Sequence, residues 1–118
     1  MVKDITQVAW TVNMPQVFHT SFWFIPQEVT TCVIWKATGP VGALLLGYDE
    51  QTQGFFLEDH LSRCVTLAFG LEASDRVCLG VCQTSTERRL FAARMGGGVQ
   101  SASARLEPVG AFSSLRLY

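Results

Sequence analysis

Apolar residues recur along this chain in short alternating runs. Val65–Leu71 and Val77–Val81 each place an apolar side chain at every second position. Because successive side chains of a strand point to opposite faces, such runs predict strands with one buried face. Turn-forming residues separate the runs, and no segment has a sustained helical period. The pattern therefore predicts an all-β chain of about eight to ten strands, folded as an antiparallel β-sandwich or jelly roll.

Two of the predicted strands are apolar on both faces. Val29–Trp35 and Val41–Leu46 carry apolar residues at odd and even positions alike. Charged residues make up only 16% of the 118 positions, against roughly 25% in soluble domains. A single domain of this size has one core, so we expect another copy of the chain to cover part of its surface. The residues expected at that subunit interface are Trp23, Val33, Trp35, Leu44 and Leu46.

The length predicts one domain, with a change of composition at Gly96–Gly98. Residues 1–95 form the predicted core and are dense in Val, Leu and Phe. Residues 96–118 form a glycine-hinged extension that is richer in Ser and Ala. The sequence leaves open whether this extension adds strands to the same domain or docks as a tail.

Composition limits the partners that the chain is expected to bind. A net charge of −1 gives no overall attraction to nucleic acid or to an anionic membrane. The N-terminal residues lack the apolar run of a signal peptide, and the uncharged stretch Ala37–Tyr48 is too short to span a bilayer. The four cysteines lie in apolar runs, which favours buried thiols in a reducing compartment, the cytosol or the nucleus.

No group of residues in the sequence predicts catalysis. The two histidines, His19 and His60, are far apart and no H-x-H motif occurs, so no metal site or cofactor is expected. Cys64 with His60 could form a nucleophile and base, but no third residue is evident to orient them. A core role for Cys64 is therefore favoured, and an enzyme is the least favoured class.

Charged and aromatic residues offer weaker candidates for binding. Five arginines bias the C-terminal third towards positive charge, and three of them are candidates for phosphate contact, although solubilising edge positions are the favoured explanation. Those three are Arg88, Arg89 and Arg94. Trp23 shares a strand face with His19 and Ser21, so it is the best candidate for an exposed ring at a subunit contact.

Several segments resemble the core domain of the nucleoplasmin family, including the nucleoplasmin-like domains of FK506-binding prolyl isomerases. The similarity covers about residues 8–95 and includes an apolar strand, a short acidic or glycine turn and an Asp-Arg-aliphatic strand start. The segments are Ala9–Met14, Val17–Ser21, Gln27–Ala37, Val65–Val77 and Arg89–Ala93.

The resemblance implies an eight-stranded jelly roll that assembles into a ring, usually a pentamer that can stack into a decamer. It further implies a non-enzymatic oligomerisation domain of a nuclear or nucleolar chaperone-type protein, which binds histones or ribonucleoprotein partners. Family members bind histones through acidic tracts, and RNA contacts are expected outside this chain. The local acidic residues here, expected to form a partner-binding loop, are Asp49, Glu50, Glu58 and Asp59. An acidic tail, if present, is expected beyond Tyr118.

Two other readings are compatible with the same pattern. A viral capsid or decoration jelly roll would also be oligomeric and poor in charge. A carbohydrate- or peptide-binding sandwich would be monomeric and would expose Trp23 or Tyr48.

Overall fold

The computed structural model describes residues 3–5 and 17–118, and none of these residues is helical. The predicted strand at Val8–Met14 lies outside the described residues. Within the described part, no helix is long and apolar enough to cross a membrane. The strands are β1 (Lys3–Ile5), β2 (Phe18–Pro26), β3 (Cys32–Thr38), β4 (Ala43–Asp49), β5 (Gly54–Asp59), β6 (Cys64–Ala68), β7 (Val77–Gln83), β8 (Arg88–Arg94), β9 (Val99–Ala104) and β10 (Ser114–Leu117).

The strands form two antiparallel five-stranded sheets, which confirms the predicted all-β architecture. Sheet 1 has the order β1-β2-β7-β8-β9, and sheet 2 has the order β10-β3-β4-β5-β6. The chain passes between the sheets after β2, after β6 and after β9. Hairpins join the neighbours β3 to β6 and the neighbours β7 to β9.

This strand order corrects the jelly-roll expectation. A jelly roll is built from two Greek keys, in which strands return to their sheet through long connections. Here β3 to β6 are four consecutive strands that lie side by side in one sheet. The short turns at residues 39–42, 50–53 and 60–63 join each of these strands directly to its neighbour. Each sheet thus combines a meander, β3–β6 or β7–β9, with one long-range pairing, β10 with β3 or β2 with β7.

The core lies between the two sheets and is filled by alternate side chains from both. Phe22 and Phe24 of β2 face Leu44, Leu46 and other inward residues of sheet 2. The rings of Phe24 and Phe55 meet edge to face across the core, with centroids 6.2 Å apart. Such aromatic pairs add to the stabilisation that burial already provides.

Three residues expected at a subunit interface belong to the chain's own core. Trp35, Leu44 and Leu46 are at most 1% exposed. In β4 the alternation places Leu44 and Leu46 inward, and only Leu45 of this leucine run points outward. A β-bulge between Val33 and Trp35 shifts the pairing of β3 with β4. Most of the apolar residues in these two strands therefore lie in the core of a single chain.

Residues 99–118 supply an edge strand to each sheet. Glycines 96–98 lie in the turn of the β8–β9 hairpin, where Gly96 has a φ of +78°, a conformation that glycine adopts easily. β10 then pairs with β3. The segment after the triple glycine is part of both sheets.

Candidate interaction surface

The outward face of sheet 1 is poor in charge. It is the side of β2, β7, β8 and β9 that points away from sheet 2, and we call it the sheet 1 face. Cross-strand pairing arranges its residues in three rows. The rows are His19–Cys82–Arg89–Ser103, Ser21–Gly80–Phe91–Ser101 and Trp23–Cys78–Ala93–Val99.

Aromatic and aliphatic side chains dominate the row of Trp23 and Val99, and the neighbouring row contributes the Phe91 ring. Phe91 lies beside Gly80, whose missing side chain leaves room for the ring. A shallow hollow of about 250 Å³ runs from His19 across Phe91 to Val99. Val99 is 70% exposed, whereas Phe91 and Trp23 are half-buried. Charged residues are depleted at the centre of protein–protein interfaces, and this face shares that scarcity of charge.

Two charged side chains near this face, Arg89 and Arg94, are paired with acids. Arg89 binds Glu87 at 2.6 Å, and both side chains are substantially exposed. Arg94 binds Asp75 at 3.2 Å and lies 4.5 Å from the centre of the Phe69 ring. Two of the predicted phosphate-contact residues therefore already have acidic partners.

The third predicted phosphate contact, Arg88, is buried and cannot reach a partner at the surface. Its guanidinium binds the Asp59 carboxylate at 3.1 Å, and both side chains are 0% exposed. Asp59 lies at the end of β5 and Arg88 at the start of β8, so the ion pair joins the two sheets. The structure thus corrects two site predictions: Arg88 is not a surface phosphate contact, and Asp59 is not part of an exposed acidic loop.

Further hydrogen bonds complete this buried pair. Asp59 also accepts a side-chain bond from Arg63 at 2.7 Å and a backbone bond from Leu61 at 2.9 Å. Gln83 accepts a bond from Arg88 Nε at 3.0 Å and donates to the carbonyl of Leu106 at 2.9 Å. A buried charge is tolerated when it is paired and hydrogen-bonded in this way.

The network shifts both pKa values. Burial alone raises the pKa of Asp59, but the bonds from Arg63, Leu61 and Arg88 outweigh it, and the pKa lies below its usual 3.8. Burial lowers the pKa of Arg88, and the Asp59 carboxylate opposes that shift. Both groups are charged at neutral pH, and the arrangement joins the sheets of the sandwich.

The remaining acidic residues do not form one patch. Asp49 and Glu50 lie at the β4–β5 turn, whereas Glu58 lies near the far end of β5. The row of Asp49 and the row of Glu58 are four residues apart along β5, or roughly 13 Å. Asp49 Oδ1 stabilises the turn, because it accepts a bond from the backbone N–H of Gln51 at 3.0 Å. Glu50 is exposed.

A groove of about 540 Å³ crosses the outward face of sheet 2, alongside β5 and β6. Beside it the Phe56 ring covers Gly47, where a Cβ atom would lie only 2.3 Å from the ring. Val33, the fourth predicted interface residue, pairs with Gly47 and is half-buried. Glu58 and Asp49 line the groove, as do Cys64 and three threonines.

Three of the four cysteines lie on outward faces, which corrects the expectation that all four are buried, whereas Cys32 packs against the core. Cys78 and Cys82 point out from sheet 1 and are half-buried, and Cys64 is exposed on β6. Burial and the nearby Glu58 carboxylate raise the pKa of the Cys64 thiol, which opposes its ionisation. The described residues include no cluster of three or more potential metal ligands.

Sequence reasoning missed most of the sheet 1 face. Trp23 was the one predicted interface residue that lies on it, in the row of Cys78 and Ala93. Gly80 and Phe91 alternate in sequence with the buried residues Leu79, Val81 and Leu90. This alternation alone could have placed both residues on the outward face of the sheet.

No protein-family model, no curated protein and no solved structure matched this chain. The resemblance to the nucleoplasmin core therefore stays a prediction.

Proposed function

We propose that this chain is a non-enzymatic self-association domain, in which copies bind one another through the sheet 1 face. The observation that carries the proposal is the row Trp23–Cys78–Ala93–Val99 together with Phe91. These side chains form a continuous apolar surface on a sandwich whose core is already filled from both sheets. Apolar surface of this kind is stabilised when a partner removes it from water.

A closed ring is the form of assembly that the resemblance suggests, with five subunits as its usual number. As part of this proposal, the ring serves as the scaffold of a nuclear or nucleolar chaperone-type protein. Multiple copies then raise the effective concentration of whatever partner-binding segments the protein carries. Support for this wider role comes from the sequence resemblance, whereas support for self-association comes from the apolar face.

The variant Val99→Lys tests the proposed face with little risk to the fold, because Val99 is 70% exposed. A lysine there places a charge in the row of Trp23 and Ala93, where a partner copy would have to desolvate it. We expect the solution mass, measured by light scattering, to fall from a multiple of 13.0 kDa towards 13.0 kDa.

Val41→Lys is the matched control. Val41 is also a valine and is similarly exposed, at 67%, but it lies in the β3–β4 turn at one end of the sandwich. This variant should keep the wild-type mass. Equal masses for wild type and Val99→Lys would contradict the assignment of the face, and a wild-type monomer would contradict self-association itself.

A peptide-binding sandwich is the second candidate function. The groove on sheet 2 favours it, because this groove lies beside β6, which pairs on one side only among the described residues.

A further inference from the structure

Lys36 and Arg116 lie directly opposite each other on the outward face of sheet 2. Lys36 belongs to β3 and Arg116 to β10, and the register of these two strands pairs them. Successive side chains of β3 alternate between the two faces, so Trp35 and Ala37 are buried in the core and Lys36 points outward. Like charges at directly opposed positions of an antiparallel pair repel each other and destabilise the pair.

No acid in the described part of the chain pairs with either cation. None of the ion pairs among the described residues includes Lys36 or Arg116. On the other side of Lys36 the register places Leu45 of β4, and the first acid in that row is Glu58 of β5. Glu58 is two strand spacings from Lys36, or roughly 10 Å. The two cations therefore form a small basic patch on a chain whose net charge is −1.

Two hydroxyl side chains lie next to the cations on the same face. The register of β3 and β10 pairs Thr38 with Ser114, two residues along each strand from the cations. The four residues form a rectangle with sides of roughly 5 Å across the strands and roughly 7 Å along them. Arg116 and Ser114 are exposed, whereas Lys36 and Thr38 are half-buried. All four side chains carry N–H or O–H groups that can donate hydrogen bonds.

The guanidinium of Arg116 lies over an aromatic ring. Its central carbon is 4.8 Å from the centre of the ring of Tyr118, which follows two residues later. Stacking of this kind restricts the orientation of the guanidinium, while its N–H groups remain available as donors. Arg116 is thus oriented before a ligand binds, which lowers the entropy cost of binding.

We propose that this rectangle binds a phosphate group. We call it the β3–β10 patch, and it consists of Lys36, Thr38, Ser114 and Arg116. A phosphate dianion has two negative charges for the two cations, and it has enough oxygen atoms to accept bonds from all four side chains. A carboxylate has one charge and two oxygens, so it engages only part of the patch. Arginine binds phosphate oxygens with its fork of N–H groups, and lysine contributes a point charge.

The β3–β10 patch differs from the arginines that the sequence suggested as phosphate contacts. Arg88, Arg89 and Arg94 each pair with an acid. The patch is also independent of the proposed self-association, because it lies on sheet 2, whereas the proposed interface between copies lies on sheet 1. Either proposal can therefore fail while the other holds.

Thermal denaturation in sodium phosphate and in sodium chloride of equal ionic strength tests the proposal. Phosphate stabilises many proteins because it is excluded from their surface, so the wild type is compared with its own variants. We expect about 50 mM phosphate to raise the Tm of the wild type by about 4 °C, which corresponds to a dissociation constant of about 5 mM. Arg116→Gln removes one of the two cations, so its rise in Tm should be only about 1 °C.

Arg105→Gln is the matched control. Arg105 is also an exposed arginine without an ion pair among the described residues, but it follows β9 at the edge of sheet 1. Its response to phosphate should equal that of the wild type.

Lys36→Met tests the repulsion on which the proposal depends. Methionine keeps most of the hydrocarbon stem of Lys36 but removes the charge. In chloride, its Tm should lie about 1–2 °C above that of the wild type, because the repulsion from Arg116 is gone. In phosphate, its Tm should rise by only about 1 °C.

Amide NMR spectra locate the bound anion and distinguish its source. Titration with inorganic phosphate should shift the signals of residues 36–38 and 114–117 and leave those of residues 103–106 unchanged. Acetate should bind at least about fivefold more weakly than phosphate. In a parallel titration with O-phosphoserine, tighter binding of the ester would indicate a phosphorylated ligand, and tighter binding of inorganic phosphate would indicate the free ion.

Three results would overturn the proposal. An equal rise in Tm for the wild type, Arg116→Gln and Arg105→Gln would show that phosphate acts by exclusion alone. NMR shifts confined to other residues would place the anion elsewhere. A lower Tm for Lys36→Met than for the wild type in chloride would show that the charge of Lys36 stabilises the fold, which contradicts an unrelieved repulsion.

Discussion

At the scale of single residues, the clearest feature is the ion pair between Arg88 and Asp59. A charged pair with no exposed side-chain surface contributes little net stability compared with a well-packed apolar pair, but removal of one partner is costly. The sequence places Arg88 and Arg89 next to each other at the start of a strand. Because alternate side chains of a strand point to opposite faces, Arg88 points into the core and Arg89 to the surface. Only the structure shows that Asp59 lies beside Arg88 in the core.

Replacement of Arg88 should therefore destabilise the fold far more than replacement of its neighbour. We expect Arg88→Met to lower the free energy of unfolding by about 3 kcal/mol, because Asp59 and Gln83 lose a buried partner. Arg89→Met removes an exposed ion pair and should cost less than about 1 kcal/mol. Urea denaturation measures both, and equal costs would contradict the buried role of Arg88.

Acid should weaken the same contact. The pKa of Asp59 in the folded chain lies below its usual 3.8, so the carboxylate stabilises the fold above about pH 4. This contribution is lost as the pH falls through the folded-state pKa. We expect the free energy of unfolding to fall less steeply in Asp59→Asn than in the wild type between about pH 4 and pH 2. Identical slopes in urea denaturation would show that Asp59 does not contribute.

At the scale of elements, the strands follow from sequence but their order does not. The predicted run Val65–Leu71 begins one residue after the start of β6 and ends three residues beyond its end, and the run Val77–Val81 lies within β7. The pairing of β2 with β7 and of β3 with β10 joins residues more than 50 positions apart, and no local pattern encodes it. Burial of the β4 leucines was misjudged because a run of three leucines does not show which alternate positions face the core.

The two sheets use the same device on their outward faces, an aromatic ring beside a cross-strand glycine. The fit is much tighter in sheet 2, where a Cβ on Gly47 would lie 2.3 Å from Phe56 and 2.6 Å from the Cys32 carbonyl oxygen. In sheet 1, a Cβ on Gly80 would lie 3.4 Å from Phe91.

We expect the two glycines to respond differently to alanine. Gly47→Ala should lower the free energy of unfolding by about 1–3 kcal/mol, because the ring and the backbone must both move. Gly80→Ala should be neutral or slightly stabilising, since the contact is ordinary and alanine restricts the unfolded chain. Thermal denaturation of the two variants provides the comparison, and a larger loss for Gly80→Ala would contradict the described packing.

At the scale of the whole molecule, the scarcity of charge remains the property to explain. The core accounts for Trp35, Leu44 and Leu46, so these residues no longer require a partner. The sheet 1 face does not belong to that core, and its rows carry Arg89 as their one charged residue. The sequence thus predicted a surplus of apolar surface but, apart from Trp23, assigned it to β3 and β4, because alternation alone does not show which side of a strand faces the core.

Sedimentation equilibrium of the wild-type chain tests the central claim most directly, at several dilutions and at both about 0.1 M and about 1 M salt. Self-association through apolar surface predicts a mass that is a multiple of 13.0 kDa and is not reduced by salt. A folded particle of 13.0 kDa at every concentration would contradict it.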